Sequence, residues 1–127
     1  YTLTANNLKE GKTYFARAYL ITGSGTVVLG NVVEFTTSIT PTPPTVILNP
    51  ITNIAQTTAV LSGKVSNNGG TGITEQGFCY NTTGNPKITD NKLPANVDAN
   101  GNFSANMTGL NQGLVYYVRA YAINSLG

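Results

Sequence analysis

The chain has five carboxylates, a single cysteine and no histidine, which removes most side-chain chemistry at the outset. Without an imidazole there is no His-activated serine or cysteine nucleophile and no His-containing metal site. Glu10, Glu34, Glu75, Asp90 and Asp98 are scattered along the chain. Only Asp90 and Asp98 invite comparison with the carboxylate pair of a glycosidase, and no motif around them describes a cleft. Asp98-Ala-Asn-Gly-Asn102 is rich in oxygen ligands, but its glycine falls two positions too early for a calcium loop and no bidentate Glu follows. It reads as a tight turn. Cys79 cannot form a disulfide within the chain and reads as a small buried hydrophobe. The expectation is a protein without catalysis, without bound metal and without a cofactor.

One pattern that could support recognition remains. Alternation across 114–124 (LVYYVRAYAIN) directs Tyr116, Val118 and Ala120 to one face and Tyr117, Arg119 and Tyr121 to the other. Phe15, Arg17 and Tyr19 repeat the second trio. An Arg between two aromatics stacks on both. Such a ladder stiffens a sheet, or it offers a platform to a sugar ring or a partner protein.

The two trios belong to a longer correspondence. Residues 1–25 align without a gap over 103–127 at an offset of 102, with eight identities: Leu8, Gly11, Tyr14, Arg17, Ala18, Tyr19, Ile21 and Gly25 match Leu110, Gly113, Tyr116, Arg119, Ala120, Tyr121, Ile123 and Gly127. A fixed offset with shared landmarks indicates tandem copies of one module. Ser38–Thr45 has three prolines in eight residues, a composition that stays extended and breaks sheets. The expected organisation is part of one repeat over 1–37, a linker over 38–44 and a second repeat over 45–127.

Period-2 alternation runs through the chain and no segment has a helical period. Expected strands cover 12–22, 26–37 (with a bulge at Gly30), 45–49, 57–66, 73–81, 102–108 and 114–124. Residues 82–96 read as loop. Short strands separated by Gly, Asn and Pro turns predict an all-β sandwich. Charged residues make up 9% of the chain, whereas Thr (19) and Asn (16) are abundant, so the surface is polar but weakly charged, as suits an extracellular β-protein. The seven basic residues form no patch, which argues against nucleic acid. No apolar run approaches the roughly 18 residues of a membrane span.

Leu110, Gly113, Tyr116 and Val118-Arg-Ala-Tyr-Ala122 resemble the E–F corner and F strand of a fibronectin type III domain, an immunoglobulin-like β-sandwich. The wider wording, NNGGTGITEQGFCYN at 67–81 with YYVRAYA at 116–122, is similar to divergent repeats of large surface proteins of Bacteroidota. The resemblance covers nearly the whole chain. It implies that Tyr14 and Tyr116 are tyrosine corners, each hydroxyl bonded back to its own E–F connection, with a cost of about 1–3 kcal/mol for phenylalanine if a buried partner is left unsatisfied. Two features depart from the family. There is no Trp, and Gly63 falls where a core Trp would sit, a gap for Phe78 or Tyr80 to fill. The Arg-Gly-Asp triplet of some members is also absent.

The resulting expectation is a non-catalytic spacer or adhesion repeat of a large extracellular or cell-surface protein. The alternative is a carbohydrate- or protein-binding module that uses the aromatic face or loops. In the family's nomenclature, residues 1–37 would supply strands E, F and G of one sandwich, and 45–127 strands A to F of the next. Strand F would then be an open edge. Residues 38–44 reach at most about 25 Å, short for a return around the sandwich. The expected partners are therefore neighbouring repeats, or other copies through strand exchange, besides a glycan or surface protein.

Overall fold

The computed structural model describes residues 2–127. Every regular element in them is a β-strand: β1 Thr13–Ile21, β2 Val27–Thr36, β3 Thr45–Leu48, β4 Ala59–Asn67, β5 Glu75–Asn81, β6 Asn91–Pro94, β7 Asn102–Met107 and β8 Tyr117–Ile123. All pairings are antiparallel. The chain divides into two units, with the boundary between Thr40 and Pro41.

In the second unit, β3-β4-β7 and β6-β5-β8 form two three-stranded sheets around one apolar core. The alternation in β4 explains its orientation, since Ala59, Leu61 and Gly63 are buried while Lys64 is exposed. Their partners on β7 are Met107, Ala105 and Phe103, and directly opposed residues share a face. Phe78 enters from the other sheet, with its ring centroid 5.0 Å from that of Phe103. The space at Gly63 is filled by Phe103 rather than by Phe78 or Tyr80. A Cβ at residue 63 would lie 2.8 Å from Phe103 Cζ and 2.9 Å from the Ile47 carbonyl. β5 is buried on both faces, because Cys79 points away from the core and lies under the 82–90 loop, where Pro86 is buried.

Buried Asn124, just beyond β8, ties three segments together. Its Nδ2 donates to Thr42 O at 2.7 Å and Asn68 O at 3.0 Å, and its Oδ1 accepts from the Leu126 amide at 2.9 Å. Gly69 passes close by at φ +73°, where a Cβ would lie 2.8 Å from Asn124 Nδ2.

The first unit is a hairpin of β1 and β2. Gly30 and Asn31 together face Ala18, the bulge expected at Gly30, and Arg17 Nε donates to the Gly30 carbonyl at 2.8 Å. The strand E expected before it is absent, since residues 2–12 form no strand; Tyr1 lies outside the described residues. The counterpart of 2–5 in the second unit, 104–107, is a strand because β4 hydrogen-bonds to it. Among the described residues no equivalent of β4 borders residues 2–5. Thr40 hydrogen-bonds to the Glu10 carboxylate in the first unit, and Thr42 to Gly69 in the second. β6 was not expected, its four residues NKLP being too short and Pro-terminated to alternate.

Replacing Asn124 by Ala leaves two carbonyls without their donor, and thermal or urea unfolding is expected to show a loss of about 1–3 kcal/mol.

Candidate functional site

The residues singled out in the sequence divide among three places. Tyr14 and Tyr116 brace turns. Tyr14 Oη accepts the Lys9 amide at 2.9 Å and Tyr116 Oη accepts the Asn111 amide at 3.0 Å, both donors lying five residues upstream. Both bonds sit at exposed positions, so water can replace the lost partner. This reduces the cost of a phenylalanine to about 0.5–1.5 kcal/mol, the ordinary net value of one hydrogen bond.

The outward trio of β8 is not a continuous platform. Tyr117 and Arg119 are exposed, but Tyr121 is buried. Its hydroxyl donates to Glu75 Oε1 at 2.7 Å, the same oxygen that Lys92 Nζ reaches at 2.7 Å, and the Lys92 ammonium stands 6.0 Å from the Tyr121 ring. The physical cause is β6. It places Lys92 beside Cys79 in the register β6-β5-β8, on the face that Tyr121 also occupies. In β1, which has no such neighbour, Phe15 and Tyr19 remain 69% and 63% exposed on either side of Arg17. Neither Arg119 nor Arg17 makes a cation–π contact with its flanking aromatics among the described residues.

Glu75 and Lys92 were not legible as a pair, since nothing in a 17-residue separation marks them as neighbours. Lys92 first and the Tyr121 hydroxyl second hold the Glu75 carboxyl below its usual range. Burial first, then the bond to Glu75, pushes the Tyr121 hydroxyl well above its usual value. Burial likewise pushes the Cys79 thiol up, which keeps it protonated and a poor nucleophile.

Asp98 and Asp90 serve turns, and Glu10 holds Thr40. Asp98 accepts from the amides of Asn100 and Asn102 and from Asn102 Nδ2, as the tight turn requires. Asp90 accepts from Asn81 Nδ2 and the Lys87 amide, and Glu10 from Thr40. Among the described residues no three His, Cys, Asp or Glu side chains gather as a metal cluster. No helix is long and apolar enough to cross a membrane.

An apolar recess was missed by the sequence reading. Ile51, Ile54, Leu110, Leu114, Tyr116 and Val118 line a cavity of about 360 Å³. Ile54 and Leu114 are 74% and 54% exposed there. The only signal was the presence of apolar residues in segments read as turns. No family model, curated protein or solved structure matches this chain.

Tyr121 gives a test with a defined sign. An unfolded tyrosine ionises near pH 10 while the native one stays protonated, so above about pH 10 stability falls as pH rises. Denaturation of the Tyr121→Phe variant is expected to lose this alkaline dependence, with near-ultraviolet absorbance showing the missing late ionisation.

Proposed function

We propose that the chain is a non-catalytic module of fibronectin type III type, serving as a spacer or adhesion repeat in a multi-repeat extracellular or cell-surface protein. The strand order carries the reading. Sheets β3-β4-β7 and β6-β5-β8 correspond in order to strands A-B-E and to C and F with an additional edge strand. The two tyrosine hydroxyls, each bonded to an amide five residues upstream and spaced 102 residues apart, support a repeat of the same corner. The division of side-chain labour supports a mechanical role: Asp90 and Asp98 tie turns, the thiol is buried, and the Glu75–Lys92 ion pair braces a sheet face. Nothing in that set is poised to transfer a proton or attack a substrate.

The binding-module alternative loses one of the two aromatics of the β8 trio, because Tyr121 lies under Lys92 rather than beside an open groove. Glycan and protein arrays probed with the 127-residue chain are expected to show no binding that depends on Tyr117 or Arg119. Saturable binding abolished by Tyr117→Ala, with the fold intact by circular dichroism, would replace the spacer reading with a recognition role.

A further inference from the structure

Composition alone makes 38–44 an extended Thr/Pro stretch, stiff in the way Pro-rich linkers are stiff. The hydrogen bonds at its two ends restrict it further. In the first unit, Thr37 leaves β2 and lies against the turn at 9–12. Its amide donates to Lys12 O at 3.0 Å, its carbonyl accepts the Gly11 amide at 3.2 Å, and its hydroxyl donates to Lys9 O at 2.6 Å. Ile39 covers Gly11, where a Cβ would lie 2.9 Å from Ile39 Cγ1. Thr40 ends the run with two bonds to one carboxylate. Its amide donates to Glu10 Oε2 at 3.0 Å and its hydroxyl to Glu10 Oε1 at 2.7 Å.

Two residues later the second unit takes hold. The Thr42 amide donates to Gly69 O at 2.9 Å, and the Thr42 carbonyl accepts from buried Asn124 Nδ2 at 2.7 Å. Thr45 opens β3 opposite Asn67, and its carbonyl accepts from Ser66 Oγ at 3.1 Å. Pro41 alone separates the last residue bonded in the first unit from the first residue bonded in the second. Its ring fixes φ near about −65° and keeps Thr40 out of the helical region. With the Thr40 amide and hydroxyl both held by Glu10, ψ of Pro41 is the freest torsion left.

We propose that residues 37–45 form a semi-rigid joint rather than a flexible tether, with Glu10 as its latch. A carboxylate accepts more strongly than a neutral oxygen, and the two oxygens of Glu10 take the hydroxyl and the amide of a single threonine. The Thr40 hydroxyl first and the Thr40 amide second hold the Glu10 carboxyl below its usual range. Both bonds are exposed, so their loss costs the fold little. What they restrict is the swing of the chain at Pro41. The joint is independent of the spacer reading, although a stiff junction is what a spacer needs to hold its ends apart.

Backbone nitrogen relaxation measured by NMR on the 127-residue chain tests the joint at single amides. Order parameters of Ile39, Thr40 and Thr42 are expected near the rigid value of about 0.85, as in β4 and β5. Amides of β1 and β2 are expected to report the same rotational correlation time as those of β4 and β5. Glu10→Ala leaves the Thr37 bonds in place, so the turn at 9–12 stays folded. It is expected to lower the Thr40 order parameter toward the flexible value of about 0.6 while Thr42 keeps its own. Glu10→Gln, with one acceptor oxygen left, is expected to fall between the two. A wild-type order parameter below about 0.6 at Thr40 or Thr42, a shorter correlation time for β1 and β2, or a Thr40 amide unchanged by Glu10→Ala would overturn the proposal.

Discussion

The contact of Phe78 with Phe103 across the two sheets is the interaction on which the rest of residues 41–127 depends. It exists because residue 63 has no side chain, which lets a large ring from β7 settle over β4 and meet the ring from β5. Leu61 and Met107 close the cluster from the same sheet as Phe103, while Val118, Ala120 and Leu93 approach from the other. Aromatic pairs at this separation add to the area they bury. They also fix which faces of β4, β5, β7 and β8 turn inward, since one residue of slip would reverse every side chain.

The hairpin of β1 and β2 shows what happens to similar residues without that core. Its strands have apolar side chains in the right alternation, yet Leu20, Val28 and Val33 remain about half exposed. The segment before it fails to become a strand although its counterpart does. Pairing and an opposing sheet, rather than local propensity, decide the outcome. The same contrast separates the two aromatic–Arg trios. Tyr121 is buried because β6 brings Lys92 over it, whereas Tyr19 has no such neighbour.

Much of the fold was legible in the sequence, because period-2 alternation and Gly/Asn/Pro turns are local signals. They placed seven of the eight strands and the bulge at Gly30. β6 was hidden, being four residues long and stabilised by its neighbour β5 rather than by its own pattern. The Glu75–Lys92–Tyr121 cluster was hidden for a related reason: it is assembled by register across three strands. Tyr14 and Tyr116 could be found because the hydroxyl's partner is only five residues away. The occupant of the space at Gly63 depended on which strand lies opposite it, and sequence alternation does not carry that information.

Native-state hydrogen exchange in dilute solution tests most directly the claim that stability resides in the core of residues 41–127. Amides of β4, β5 and β7 are expected to exchange only through global unfolding, while those of β1 and β2 open at much lower free energy. Protection of the β1 and β2 amides equal to that of β4 and β5 would contradict the account.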